Sequence, residues 1–258
     1  MWDAAGWEQW KADRLAALTA ADGWLNLTDR LPMEPGRWTV GRAAENDLVL
    51  SVGPDHLGVL ELRADLGASL SDPTGVQDFA PEPDTPARLR VAGLLLEIHI
   101  VEGAAALRVR LIDHPARCGF PGLTLYPFDP AWVIRADWVA LETPVSRAVE
   151  MVRGATDTVT QTHVARFSHA GHDLALVPTH VKAGKPMFVI RDLTSGSETY
   201  GASRFLIGVV EGDQVILDFN RAHNPPCAFT EHAICPLPPP ENRLPFALRV
   251  GELKPAAH

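Results

Sequence analysis

The sequence predicts a mainly β protein: one N-terminal helix, a β-sandwich-like first half, and a second antiparallel β half closed by a proline-rich loop. Three observations predict it. Apolar residues at helical spacing are confined to the first 25 positions. After them, short apolar and β-branched runs are cut by Gly, Pro and Asp about every eight to twelve residues, the spacing of an all-β chain. Finally, residues 218–229 and 235–243 pack acids, amides, an imidazole and two thiols among prolines. Proline fixes φ, removes a backbone donor and pushes its predecessor extended, so this stretch reads as a stiff, irregular loop. Loops of that kind often carry function.

Three regions follow: the helix at 1–25, a β half at 26–111 and a second β half at 112–258. Trp7, Trp10, Leu15 and Leu18 recur at roughly helical spacing, with Glu8, Lys11, Asp13 and Arg14 between them, and Gly23 is a stop signal. The tryptophans predict a helix docked on the body. Strands are expected at 37–40, 48–50, 58–63, 68–72, 88–91, 94–101 and 106–111, with a loop at 79–86. Past a turn-rich junction, strands are expected at 132–141, 159–168, 173–178, 187–192, 205–211 and 214–219. Residues 144–153 could form a short helical turn. A split barrel of the flavin-binding kind is the fold analogue for this second half.

Composition narrows the function classes. The chain has 258 residues, 46% hydrophobic and 21% charged, an ordinary globular balance. A formal net charge of −9 argues against a nucleic-acid surface, which needs a basic stripe. No apolar run is long enough to span a membrane, and the start has neither the basic nor the apolar region of a signal peptide. Three cysteines do not make a disulfide framework, so the expectation is a cytoplasmic protein with reduced thiols.

The run from Trp38 through Gly41, Arg42, Asn46 and Asp47 to Leu50 resembles the opening of forkhead-associated domains, sandwiches that bind phosphothreonine. An Arg in a turn between strands would offer its fork to an anion. The pattern of those domains continues with a serine and, three residues on, a histidine; here His56 and Val59 hold the places. The resemblance thus implies a sandwich kept as scaffold, without phosphothreonine binding at Arg42.

A second resemblance starts at Arg191 and runs through Tyr200 and Arg204. It continues through Asp218, Phe219, Asn220, His223, Asn224, Pro225, Pro226 and Cys227, and reaches Cys235, Glu241, Asn242, Arg243, Gly251 and Glu252. This signature resembles a prokaryotic family known only as domain of unknown function sixteen eighty-four; residues 110–117 and 120–122 also fit it. His223 stands where that family carries a tyrosine. The family brings no activity, so the residues are read by their chemistry.

Asp218 and Asn220 are two apart at a strand end and share a face. Asn224 opens the Pro-Pro turn, and Asn242 with Arg243 closes the loop. Asn and Asp commonly serve backbone amides in such turns. Arg191, Tyr200 and Arg204, on the preceding strand–turn–strand, could face the same loop, and two guanidiniums with amides and a phenol would suit a carboxylate or phosphate. The candidate ligand site is therefore Arg191, Tyr200, Arg204, Asp218, Asn220, His223, Asn224, Cys227, Asn242 and Arg243. A binding module for a small anionic ligand or peptide is one class. An enzyme using Asp218, His223 and Cys227 is the second, and a structural role is the third. Cys227 and Cys235, with His223 and His232 nearby, lack standard zinc spacing, and no metal is expected. No cofactor fingerprint, P-loop or nucleophile elbow is present. On alternating strands His163, His169, His172 and His180 should not all converge.

Overall fold

The computed structural model describes residues 2–82, 85–101, 103–152, 154, 156–182 and 184–255. It divides into two compact units, one of residues 16–121 and one of residues 1–15 with 122–258. Helix α1 is Ala4–Leu18. Asp3 caps it, accepting from the Gly6 amide at 2.9 Å, and so satisfies one of the amides that a first helical turn leaves without a partner.

The unit of residues 16–121 is a two-layer sandwich. Its strands are β1 (Leu27–Met33), β2 (Gly36–Gly41), β3 (Leu48–Val49), β4 (Gly58–Leu62), β5 (Ala68–Asp72), β6 (Gly75–Phe79), β7 (Arg88–Val91), β8 (Leu94–Val101) and β9 (Ala104–Leu111). They form one sheet in the order β3-β2-β4-β5-β6 and another in the order β1-β9-β8-β7. Strand alternation builds the core between them: Leu94, Leu96 and Ile98 of β8 meet Leu107 and Val109 of β9 and Leu60, Leu62 and Leu70 of the other sheet. The opposite face of β8 carries Glu97 and His99. Glu97 is buried, with Arg88 at 2.8 Å, Arg108 at 3.2 Å and Arg110 at 3.3 Å. Burial pushes its carboxyl up, but the three guanidiniums outweigh that and hold it below the usual range. Burial also holds His99 down at about 4. A short helix, α2 (Pro115–Cys118), ends the unit.

The second unit surrounds another core. Strands β10 (Val133–Glu150), β11 (Thr156–His169), β12 (His172–Leu176), β16 (Val209–Glu211) and β17 (Gln214–Asp218) make a sheet in the order β12-β11-β10-β17-β16. Strands β13 (His180–Lys182), β14 (Lys185–Ile190) and β15 (Arg204–Ile207) make a second. Ala136, Ala165, Leu217 and Phe219 pack with Phe188, Ile190, Leu206, Leu244 and Leu248. Among the described residues no strand pairing closes these sheets into a barrel.

Several expectations need correcting. The helical turn at 144–153 is strand instead: β10 continues to Glu150 through a register shift between Ala140 and Val145. That irregularity accommodates Pro144, which has no amide for a regular ladder. The strand expected at 205–211 breaks at Gly208, where a Cβ would stand 2.7 Å from Val215 Cγ2. Strands β1, β6 and β13 were not foreseen. Residues 83 and 84 of the expected loop and residue 153 of the expected turn lie outside the described residues. The loop after β17 is irregular, as read: only 3-10 turns at Phe219–Arg221, Pro226–Ala228 and Pro240–Asn242 interrupt it.

Candidate functional site

Most polar residues of the signature are engaged by the chain itself. β17 ends on Asp218, whose Oδ1 accepts from the Asn220 amide at 3.1 Å and from Asn220 Nδ2 at 2.9 Å. Its Oδ2 lies 2.8 Å from Arg221 Nε. Asn220 in turn clamps Asp129, donating to its carbonyl at 3.0 Å and accepting from its amide at 2.9 Å. Trp7 of α1 donates its indole N–H to the Asn220 carbonyl at 3.1 Å, which docks the helix here. Asn242, fully buried, stands in for a missing strand. It accepts from the Val177 amide at 2.9 Å and donates to the Val177 and Val189 carbonyls, both at 2.9 Å. Such groups are costly to leave unpaired, and the amide side chain satisfies three of them at once.

The arginines do not face this loop as expected. Arg204 is 1% exposed and ion-paired with Asp192 at 2.8 Å. It also donates to the Leu248 carbonyl at 2.9 Å and to the Val250 carbonyl. Its strand points it inward, and a buried guanidinium persists only with a carboxylate and further acceptors. Arg191 is exposed; its backbone pairs with the loop, accepting from the Leu244 amide at 2.7 Å and donating to the Asn242 carbonyl at 3.1 Å. Arg243 is exposed and lines a cavity with Arg147, Pro238 and Pro239. Arg147 there is ion-paired with Glu241. The expected set thus separates into a clamp at Asp218 and Asn220, a buried ion pair at Arg204, and the outer residues Arg191 and Arg243.

His223 and Asn224 share one neighbourhood with Arg14, and Tyr200 meets Cys227. The chain at His223 pairs with β15: Phe205 donates to the His223 carbonyl at 2.7 Å and receives its amide at 3.0 Å. The imidazole lies between Phe205, ring centroids 6.1 Å apart, and Trp10 of α1, 6.2 Å apart. His223 Nδ1 is 3.0 Å from the Arg221 carbonyl. A carbonyl only accepts, so Nδ1 carries the proton and Nε2 the lone pair. Burial, with the Arg14 charge beside it, holds the ring neutral, its pKa pushed down to about 3; Lys182 adds to the effect.

Arg14 is half-buried and rooted. It pairs with Glu252 at 2.9 Å and donates to the Asn224 carbonyl at 2.9 Å. Glu252, fully buried, accepts the Asn224 amide at 2.8 Å, and Asn224 Nδ2 donates to the Leu253 carbonyl at 2.7 Å. Lys182, on β13, is exposed, and its pKa is lowered by desolvation and by Arg14. No carboxylate pairs with it among the described residues. Tyr200 donates to the Cys227 carbonyl at 3.0 Å, and burial raises its phenol pKa. Cys227 donates its amide to Cys235 Sγ at 3.3 Å, and none of the three cysteines is in a disulfide. No group of three or more metal-type ligands occurs among the described residues. The four clustered histidines do not all converge: His169 and His172 pair across β11 and β12 and meet Phe246, whereas His163 stacks on Trp138 and His180 faces Asp157 at 3.3 Å.

Sequence reading missed Arg14, Lys182 and Trp10. Glu252 was within the signature, and a buried carboxylate demands a cation, which was the available signal for Arg14.

A family model described as "Protein of unknown function (DUF1684)" matches residues 118–253, just over half of the chain. The match lies outside residues 37–110, so it lends nothing to the forkhead-associated resemblance. A solution NMR structure of an uncharacterized protein from gene locus rrnAC0354 of Haloarcula marismortui is 29% identical. That likeness covers 54% of this chain and 80% of the other, with a TM-score of 0.43. No curated protein matches the chain.

Proposed function

Belonging as it does to the DUF1684 family of proteins of unknown function, this chain is, we propose, a binding module for a small anionic ligand held beside His223 by Arg14 and Lys182. One observation carries the reading. Two cations act on the same neutral imidazole and on each other, and the carboxylate in contact with Arg14, Glu252, is also engaged by the Asn224 amide. Among the described residues Lys182 is left without an anion, and like charges so placed are relieved by one. Trp10 and Phe205 flank the imidazole and supply apolar walls. Arg204, by contrast, is spent on Asp192.

The enzyme reading needs Asp218 to act on His223 and Cys227. Asp218 is instead turned to Asn220 and Arg221, and the histidine N–H goes to a backbone carbonyl. That favours binding over acid–base chemistry. No helix among the described residues is long and apolar enough to cross a membrane. Free thiols suit the cytoplasm, and a net charge of −9 suits partners other than nucleic acid.

Titration calorimetry with inorganic phosphate and with acetate tests the proposal. One of them should bind, and Lys182→Ala should weaken it about tenfold, the loss of one partly desolvated charge contact. Failure of both anions to bind, or equal binding by Lys182→Ala, overturns it.

A further inference from the structure

Cys227 and Cys235 are eight positions apart, yet the Cys227 amide donates to Cys235 Sγ at 3.3 Å. Both ends are fixed. Cys227 sits in the 3-10 turn Pro226–Ala228, and its carbonyl accepts the Tyr200 hydroxyl at 3.0 Å. Cys235 accepts the Val152 amide at its carbonyl at 2.7 Å, and the next residue, Pro236, bridges Met151. The two differ in access: Cys227 is half-buried, whereas Cys235 is 2% exposed. Among the described residues no group of three or more His, Cys, Asp or Glu includes the pair.

We propose that Cys227 and Cys235 are a peroxide-reactive thiol pair, Cys227 the attacking sulfur and Cys235 the resolving one. This does not rest on anion binding. The surroundings suit the assignment. The nearby Cys235 side chain holds the Cys227 thiol below its usual pKa; burial opposes this, and Tyr200 adds a second lowering contact. Thiolate character with access is what makes a cysteine reactive.

The chemistry balances with a hydroperoxide as oxidant. The Cys227 thiolate attacks one peroxide oxygen; an S–O bond forms, the O–O bond breaks, and the leaving hydroxide takes a proton to become water. Cys227 is then a sulfenic acid. Cys235 attacks that sulfur, the S–S bond forms, the S–O bond breaks, and hydroxide leaves with the Cys235 proton as a second water. Two thiols lose two electrons and hydrogen peroxide gains them. The closed 227–235 ring ties the Pro-Pro turn to the segment that pairs with the end of β10.

Wild-type protein treated with hydrogen peroxide, then alkylated under denaturing, non-reducing conditions and peptide-mapped, tests this. Free thiols should fall from three to one, with the survivor at Cys118, which is exposed and has no neighbouring cysteine. A 227–235 bridge should form about ten times faster than Cys118 oxidises. In Cys235→Ser a dimedone adduct should accumulate on Cys227. Oxidation of Cys118 first, oxidation of Cys227 without a bridge to Cys235, or persistence of all three thiols would overturn it. The wild-type mapping stands even where the variant does not fold.

Discussion

Lowering the pH from 7.5 to 5 should destabilise this protein through His223 in particular. Its imidazole has a reference pKa of 6.5 and a folded value of about 3, because it is desolvated beside Arg14 and Lys182, an effect that its hydrogen bond to the Arg221 carbonyl only partly opposes. Between these values the unfolded chain binds a proton that the folded chain refuses. Stability therefore falls as pH falls through this window. The neutral ring contributes fully above about pH 6.5, and its contribution is lost progressively down to about pH 3. At pH 5 the unfolded imidazole is protonated by a factor of about 30, which costs the folded state about 2 kcal/mol at about 1.4 kcal/mol per decade. His99, held at about 4, adds a loss of similar size in the other unit, and carboxylates add more. The difference between wild type and His223→Gln isolates one group. Urea unfolding followed by tryptophan fluorescence at both pH values should show the wild type losing about 2 kcal/mol more than the variant. Parallel losses, within about half a kcal/mol, would refute the burial and the tautomer on which the figure rests.

Two further outcomes test the structural core of the signature. Asp192→Ala should cost about 3–5 kcal/mol in urea unfolding, since it strands the buried Arg204 charge, whereas replacing both by apolar residues should cost much less. Gly251→Ala should destabilise by about 1–3 kcal/mol, read as a lowered Tm: its φ is +81° and a Cβ would strike the Ala222 carbonyl.

The strands that the sequence announced are those whose burial alternates or runs apolar, such as β8 with Leu94, Leu96 and Ile98 inward. The missed ones lie where that signal is weak. β1 contains Asp29, Arg30 and Pro32, a poor strand by composition; it is tolerable at the edge of its sheet, where a missing amide costs no ladder bond. β6 is also an edge strand, exposed at every residue but Phe79. The site failed in a different way. Polar residues close in sequence were read as converging because they share a loop, and Asp218, Asn220 and Asn242 instead carry the backbone bonds that an irregular, proline-dense loop cannot make for itself. Which acid serves which guanidinium is a matter of register. Asp192 lies just past β14 and Asp218 ends β17, and each precedes a turn, yet one faces Arg204 and the other Arg221. The cations that remain for a ligand come from α1 and β13, and only the folded chain sets Arg14 and Lys182 against His223. A loop rich in polar residues is thus better evidence of its own structural needs than of a ligand. The cation that finds no partner after those needs are met is the sharper guide.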